Sequence, residues 1–536
     1  MISSFITRLE NIDISLKSFL LIFFSTIFAR GILETFSNPG FQGPFLGWTS
    51  IFLHITVWFI SIFIWISILI KIFTKISIIK IIKAQLVFLP IILFAPIFDL
   101  ITSGAGKRLT YIFVSNTKEL LNYFGSFFLE YPSLGLRIEI AIFVILISIY
   151  IYSKTKKPLK GILGGFLAYI IIFIYLSFPS LPVVVQNYHN DTNNISTFYI
   201  TMPLNKNILI GQNYIAQLEN FNERIDVLFD LLTMTITFIS LFIGLLIIFY
   251  FWNINKFKAF FKNIRLNRLL HYWLMFFIGV GIAYIVFMPN FNLIYWNILA
   301  LLLMLISIAC SWAKAVGEND IIDKNIDCIS NPTRPLIKNE ITIEETKNLN
   351  LILFILAITG ALIISYHAFI FILFFQIIYS LYSSPPLKLK RIMILNPFLI
   401  ALASLTMMML GFFTIIPTAQ LIQFPGKIIT LTLIAFTLGV NFKDIKDIEG
   451  DKKFNIKTIP VVFGEKWGKF IIGSMFFVAF MLVPIILKEL ILLLPAVLFG
   501  GLGFLFINKK QYQEKLVFLA YFLYILSIII FYAFIK

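Results

Sequence analysis

Residues 294–327 read IYWNILALLLMLISIACSWAKAVGENDIIDKNID, an apolar run that carries only Lys314 as a charge until Glu318, followed at once by a string of carboxylates. At about 1.5 Å per residue such a run covers the roughly 30 Å hydrocarbon core of a bilayer, so it predicts a membrane-crossing helix with acids gathered at one end. Apolar runs of the same kind recur along the whole chain. Six lie at about 16–34, 48–70, 83–101, 137–152, 160–181 and 228–252, the fourth being short. Nine, counting the first, lie at about 270–288, 294–316, 349–366, 368–382, 395–416, 426–441, 468–487, 489–507 and 516–535. Open sheet edges cannot sit in lipid, so the spans read as helices and the chain as an all-α polytopic membrane protein.

Composition agrees. The 536 residues are 60% hydrophobic and 13% charged, with a mean hydropathy of +0.94, whereas a soluble domain carries about a quarter charged residues. The formal charge of +17 would otherwise raise the question of nucleic acid. Here the cations fall in alternate loops, as the positive-inside rule requires, and no basic stripe interleaved with stacking aromatics predicts a nucleic-acid partner. From 253 onward, loops that share one side hold about twenty Lys and Arg, and the opposite loops with the tail hold about three. Carried backwards, the alternation places Lys71 to Lys83 and Lys154 to Lys160 on that same side, which the rule makes cytoplasmic, and 182–227 outside. The triplets Asn190-Asp191-Thr192 and Asn194-Ile195-Ser196 in the outer segment fit a glycosylation acceptor pattern. Cys310 and Cys328 are the two cysteines, too few for a disulfide framework or a thiolate metal site. The first apolar run follows Glu10 and Asp13 and lacks a small-x-small cleavage pattern, so it reads as a retained helix. The expected division is a module of about six spans over 1–252, a basic cytoplasmic linker over 253–268, and a nine-span bundle over 269–536.

Two acidic clusters sit at span ends on the predicted cytoplasmic side. In the first, Asn319, Asp323 and Asp327 are four apart, so one helical face presents three oxygen-bearing side chains at about 6 Å of rise. In the second, Lys443-Asp444-Ile445-Lys446-Asp447-Ile448-Glu449-Gly450-Asp451, three aspartates are spaced three and four apart among lysines. Stacked like charges repel, and such faces persist when a multivalent cation sits between them; an all-oxygen donor set suits Mg2+ that also holds substrate phosphates. Two such clusters facing one another would bracket a diphosphate and neutralise it as a leaving group. Either cluster alone also reads as a solvated acidic loop. Two of them, on one side and separated by four spans, do not. A third segment, Tyr382-Ser383-Ser384-Pro385-Pro386-Leu387-Lys388-Leu389-Lys390-Arg391, ends a helix at its prolines and offers three cations, which serve phosphate or simply anchor the loop.

These residues resemble the UbiA superfamily of intramembrane prenyltransferases over about 265–536. The first motif of that superfamily, N-D-x-x-D-x-x-x-D, is similar to Asn319 to Asp327. The following R-P pair resembles Arg334-Pro335, the Y-S-x-P-P-x-x-L-K-R segment resembles Tyr382 to Arg391, and K-D-x-x-D-x-E-G-D resembles Lys443 to Asp451, with Thr458 to Gly464 similar beyond it. The resemblance implies nine transmembrane helices around a cavity open to lipid and Mg2+-dependent transfer of a polyprenyl group from an allylic polyprenyl diphosphate. By motif it implies Asn319 and Asp323 at one metal ion, Asp447 and Asp451 at the other, and Asp327 and Asp444 in support. Arg334, Lys388, Arg391 and Lys443, with Asn319, become candidate diphosphate contacts, and Tyr382 a neighbour of the allylic carbon. The motif forms look like branches whose acceptors are lipophilic: a quinone-type ring, a chlorin, or a glycerol-phosphate ether lipid precursor. A membrane lipid transporter and a non-catalytic lipid-binding scaffold are the rival readings. The first lacks a midplane ionisable pair in the second half and an inverted repeat, and the second does not account for complete aspartate motifs.

Residues 1–252 carry no motif that identifies a family. Their intramembrane charges are Arg30 and Glu34, four apart, and Asp99, followed by Lys107 and Arg108. Charged residues at membrane depth are costly, which makes Asp99, Lys107 and Arg108 a candidate headgroup site; the favoured expectation is an Arg30–Glu34 pair with the others snorkelling at the outer interface. The four histidines, His54, His189, His271 and His367, show no ligand spacing and read as interfacial or packing residues.

Overall fold

The computed structural model of the chain describes residues 2–36, 45–103, 111–112, 117–125, 133–178, 180, 209–210, 221–287, 295–454 and 456–535. Among the described residues the regular elements are all helical, and fifteen helices are long and apolar enough to cross a membrane. The chain is an integral, multi-pass membrane protein. It divides into two compact units, Met1–Phe257 with Phe291–Leu303, and Lys258–Asn290 with Met304–Lys536. The glycosylation triplets, His189, Lys107 and Arg108 lie outside the described residues.

In the first unit the helices are α1 (Ile2–Glu10), α2 (Leu16–Phe36), α3 (Phe45–Thr74), α4 (Ile78–Phe88), α5 (Phe94–Ser103), α6 (Thr117–Tyr123), α7 (Leu134–Thr155), α8 (Pro158–Ser177) and α9 (Phe221–Trp252). Helices α7 and α8 approach closely because α8 presents glycine where α7 passes: a Cβ on Gly165 would stand 1.9 Å from Ser148 Oγ, and one on Gly161 2.9 Å from the Ser148 carbonyl. Arg30 pairs with Glu34 as expected (2.8 Å), and also with Glu139 of α7 (2.8 Å), so α2 is tied to α7 by a fully buried guanidinium. Asp99 departs from the snorkelling expectation. It is 4% exposed and accepts from Ser133 Oγ (2.6 Å) and the Gly135 amide (2.7 Å). It thereby satisfies one of the amides that the first turn of α7 leaves without a helical partner. His54 is buried between Asp230 (Nδ1–Oδ1 3.0 Å) and the Tyr111 hydroxyl, a packing position with both ring nitrogens bonded.

The chain continues through α10 (Ile254–Asn263), α11 (Leu266–Phe287), α12 (Tyr295–Ile322), α13 (Lys324–Ser330), α14 (Ile343–Ile364), α15 (Tyr366–Ser383), α16 (Leu395–Ile415), α17 (Gly426–Gly439), α18 (Ile448–Lys453), α19 (Ile459–Phe463), α20 (Glu465–Leu487), α21 (Leu493–Asn508) and α22 (Glu514–Ile530). Local chemistry sets the breaks. Thr342 and Glu345 form a capping box that starts α14. Ser365, extended at φ −169°, ends α14 and caps α15 by accepting from the Ala368 amide (3.1 Å). In the core of the second unit α11 lies against α16 through reciprocal glycines: a Cβ on Gly279 would fall 1.8 Å from the Met408 carbonyl oxygen, and one on Gly411 1.9 Å from that of Phe276. With so little hydrophobic drive between helices in lipid, close backbone approach of this kind is what van der Waals packing relies on. His271 of α11 is held at both nitrogens, by Tyr521 (2.7 Å) and Ser404 (2.9 Å), again a packing role.

Candidate active site

A cavity of about 1500 Å³ opens within the second unit. Its long walls are largely apolar side chains of α11, α17, α20 and α22, and the two acidic clusters gather at one end. Helix α12 breaks at Asp323, yet the i to i+4 ladder passes through the break: the amides of Asp323, Asp327 and Asn331 donate to the carbonyls of Asn319, Asp323 and Asp327 at 2.8, 2.8 and 2.9 Å. Asn319, Asp323 and Asp327 therefore keep one face, and all three line the cavity. Asp320, next to Asn319, points elsewhere. It is 2% exposed and bonded to Asn263 (2.6 Å), Arg265 and Arg334 (3.0 Å), and so fixes the segment that leads into α11.

The second cluster is built differently from a plain helix. Val440–Asp447 is a 3-10 segment, and α18 begins after Asp447. Side chains three apart eclipse in a 3-10 turn, so Asp444 and Asp447 form one edge while Lys443 and Lys446 form the next. Asp444, Asp447 and Asp451 line the same charged end as the first cluster. One side chain joins the two: Asn331 Nδ2 donates to Asp327 Oδ1 (3.2 Å) and to Asp447 Oδ1 (3.1 Å). The helices α13 and α18 can come this close because α18 carries glycine at 450, where a Cβ would stand 2.0 Å from Ser330 Oγ and 3.1 Å from Ile326 Cγ2. Gly450→Ala is therefore expected to widen the gap between the clusters and cut turnover by about tenfold to a hundredfold, in line with the cost of a small misplacement of reacting groups, with an unchanged far-ultraviolet circular dichroism spectrum. Full activity in that variant would show that the close approach is dispensable.

The sequence of residues 273–526 matches the profile of the UbiA prenyltransferase family. This stretch belongs to that family. Among curated relatives, the UbiA segment is similar to the digeranylgeranylglyceryl phosphate synthases of Thermococcus sibiricus (36% identical over 187 residues, 33% of this chain and 61% of the relative) and of Sulfurisphaera tokodaii (29% over 210 residues, 39% and 70%). It is also similar to the chloroplastic homogentisate solanesyltransferase of Arabidopsis thaliana (28% over 194 residues, 33% and 48%). The matched stretch thus spans from about half to 70% of the length of these relatives. Among solved structures, a UbiA homologue from Archaeoglobus fulgidus bound to GPP and Mg2+ aligns over 51% of this chain and 98% of its own, at 20% identity and a TM-score of 0.41.

Within the UbiA segment most residues singled out by motif come together. Tyr382 lines the cavity beneath Lys443, whose Nζ donates to its hydroxyl (3.0 Å) and lies 5.0 Å from its ring centroid. Lys443 also donates to Asn396 Oδ1 (2.6 Å), and Asn396 Nδ2 to Asp444 (3.1 Å). Arg334 pairs with Asp327. Burial pushes the Asp327 carboxyl up to about 6 against the pull of Arg334. Lys388 and Arg391 do not join the site: Lys388 sits half-buried at φ +43° and Arg391 is exposed, and neither lines the cavity. The residue between them does. Lys390 is buried, and its ammonium bonds Asn319 Oδ1 (3.1 Å) and both oxygens of Asp323; burial lowers its pKa and Asp323 opposes the shift. Three cations in four residues gave no basis in sequence for choosing among them, because the tight turn at Leu389–Arg391 decides which faces inward. Sequence reading also passed over Asn331, Asn396 and the cavity-lining Arg265 and Arg268.

The donor set suits a hard divalent cation. Every candidate ligand offers oxygen, and the Lys390 ammonium already occupies a cation position between Asn319 and Asp323. Among the described residues no group of three carboxylate, imidazole or thiolate side chains is gathered tightly enough to hold a metal alone.

Proposed function

We propose that residues 269–536 form a prenyltransferase domain that moves a polyprenyl group from an allylic polyprenyl diphosphate to a lipophilic acceptor, with Mg2+ as cofactor and diphosphate as the other product. The observation that carries this reading is the pairing of two aspartate clusters, bridged by Asn331, at the charged end of a long apolar cavity. The isoprenoid tail lies along the apolar walls of that cavity. At its head, Lys443, Lys390 and Arg334 supply cations to diphosphate oxygens in a site from which most water is excluded, where such contacts are stronger than in water. Asn319 and Asp323 on one side, and Asp447 and Asp451 on the other, would hold Mg2+, with Asp327 and Asp444 in support; the bound ions supply charge neutralisation to the departing diphosphate. The allylic C–O bond breaks with its electron pair leaving on the diphosphate. The faces of Tyr382 and of the neighbouring Tyr379 and Tyr272 stabilise the carbocation-like fragment until an electron-rich carbon or a hydroxyl oxygen of the acceptor attacks.

In this reading 1–252 is a separate multi-span membrane module and 253–268 a basic linker on the cytoplasmic side, the protein resides in the cell membrane, and the positive-inside pattern supports an active site on the cytoplasmic side of that membrane. The relatives named above act, by their names, on a glyceryl phosphate lipid or on homogentisate, and an acceptor of one of those kinds is the expected substrate. Purified protein incubated with radiolabelled geranylgeranyl diphosphate, Mg2+ and geranylgeranylglyceryl phosphate, homogentisate, dihydroxynaphthoate or chlorophyllide should yield a labelled lipid that disappears with EDTA. Neither product nor EDTA-sensitive binding of the diphosphate would overturn the assignment.

A further inference from the structure

Helix α10 follows the span that ends at Trp252 and precedes the span that begins at Leu266. Its 10 residues, about 15 Å of helix, therefore lie at a membrane surface. Asn253 starts it by accepting from the amides of Asn255 (3.0 Å) and Lys256 (3.1 Å), and the chain turns out of it at Arg265, φ +57°. At about 100° per residue, Ile254, Phe257, Phe260 and Phe261 fall within one arc of about 120°. Lys258 and Lys262 border that arc on one side and Lys256 on the other, and Ala259 and Asn263 take the opposite edge.

In a linker bathed in water the apolar arc would turn inward. Here the edges are reversed. Ala259 is 4% exposed, Asn263 donates to Asp320 Oδ2 (2.6 Å), and the Ile264 carbonyl just beyond accepts from Trp312 Nε1 (2.7 Å), so the polar edge is the one docked on protein. Ile254 is 39% and Phe261 45% exposed, with Lys258 and Lys262 exposed beside them. Lys256 lies 5.1 Å from the ring centroid of Trp252, a residue type that gathers at headgroup depth. No Asp or Glu occurs from 231 to 317, so nothing on α10 or in the chain adjoining it neutralises the three lysines. An apolar arc turned away from protein with lysines along both borders suits a helix lying in the membrane surface, its apolar side chains among acyl carbons and its ammonium groups among headgroups.

We infer that α10 is an in-plane helix that binds anionic phospholipid of its leaflet, with Lys256, Lys258 and Lys262 on the phosphates and Ile254 and Phe261 against the acyl chains. The inference rests on the membrane spans and is independent of the prenyl-transfer reading, since none of these five side chains lines the cavity.

The test uses the full-length protein in nanodiscs of phosphatidylcholine alone and of phosphatidylcholine mixed with phosphatidylglycerol, and follows amide hydrogen exchange in peptides covering 254–264 by mass spectrometry. Each lysine near an anionic surface contributes about a fivefold preference, so exchange in α10 is expected to slow by at least about fivefold in the anionic discs. The difference should shrink as salt is raised. The triple variant Lys256→Gln, Lys258→Gln, Lys262→Gln should lose the difference and exchange in neutral discs as the unaltered protein does, because glutamine and lysine support a helix about equally. The corresponding triple arginine variant should keep it. Equal exchange in the two lipids, or a difference that persists in the glutamine variant, overturns the assignment. So does equal slowing by inorganic phosphate in neutral discs, which would make the lysines a site for a soluble anion. These outcomes read the same whether or not the protein transfers a prenyl group.

Discussion

Asp447→Ala is expected to remove prenyl transfer by a factor of at least about a thousand while the protein still purifies as a monodisperse species. The carboxylate lines the cavity and is one end of the Asn331 bridge between the clusters. Its removal takes a preorganised charge from the place where negative charge develops on the leaving group, a loss that typically costs a factor of about 10²–10³ for a single neutral donor and more where a metal ligand goes with it. Asp323→Ala should behave alike for activity, and it also strands Lys390, which pairs with both oxygens of Asp323. Asp320→Ala supplies the contrast. That residue stands in the same motif but faces Asn263, Arg265 and Arg334 instead of the cavity, so its loss should appear in the melting temperature. Removing one partner from a buried ion pair costs about 3–5 kcal/mol. Single-turnover assays with labelled diphosphate, run beside thermal unfolding in detergent, separate the two outcomes; turnover retained in both Asp447→Ala and Asp323→Ala would sink the mechanism.

Gly411→Val is expected to prevent the second unit from reaching its packed state. The first atom of any side chain at 411 would stand 1.9 Å from the Phe276 carbonyl oxygen and 3.0 Å from the Val280 amide nitrogen, both backbone atoms of α11 that cannot rotate away. Helix α16, which is buried along most of its length, must then move as a whole. Overpacking in a core usually costs about 1–3 kcal/mol, and a clash against backbone belongs at or above the top of that range. The variant should aggregate on extraction or melt well below the unaltered protein, whereas Gly501→Val, where a Cβ meets nothing within 4 Å, should be indistinguishable from it. Equal melting of the two variants would show that α11 and α16 tolerate separation.

The spans were legible because lipid imposes a length and a polarity on every crossing helix, and the acidic faces because carboxylates are rare in so apolar a chain. The four-residue spacing of Asn319, Asp323 and Asp327 survived a helix break that sequence spacing alone does not reveal, since the backbone ladder continues through Asp323. The second cluster was read as helical spacing and is a 3-10 segment followed by a short helix, which places Lys443 and Lys446 on one edge. Lys388, Lys390 and Arg391 were indistinguishable in composition. A turn three residues long selected Lys390 and turned the other two away.

Sequence by itself determined the solvent of this protein, the membrane, and the chemistry stored at the ends of its spans, because both follow from residue type and local period. Tertiary structure alone decided which charges meet: Asn331 across the two clusters, Lys390 on Asp323, Arg268 and Lys446 on Glu514, and Asp99 at the start of α7. Partners more than thirty residues apart are chosen by how closely helices approach, and close approach is allowed at glycines such as 135, where α7 meets Asp99, and 450, where α18 meets α13, whose role depends on what lies opposite and is written nowhere in their own neighbourhood.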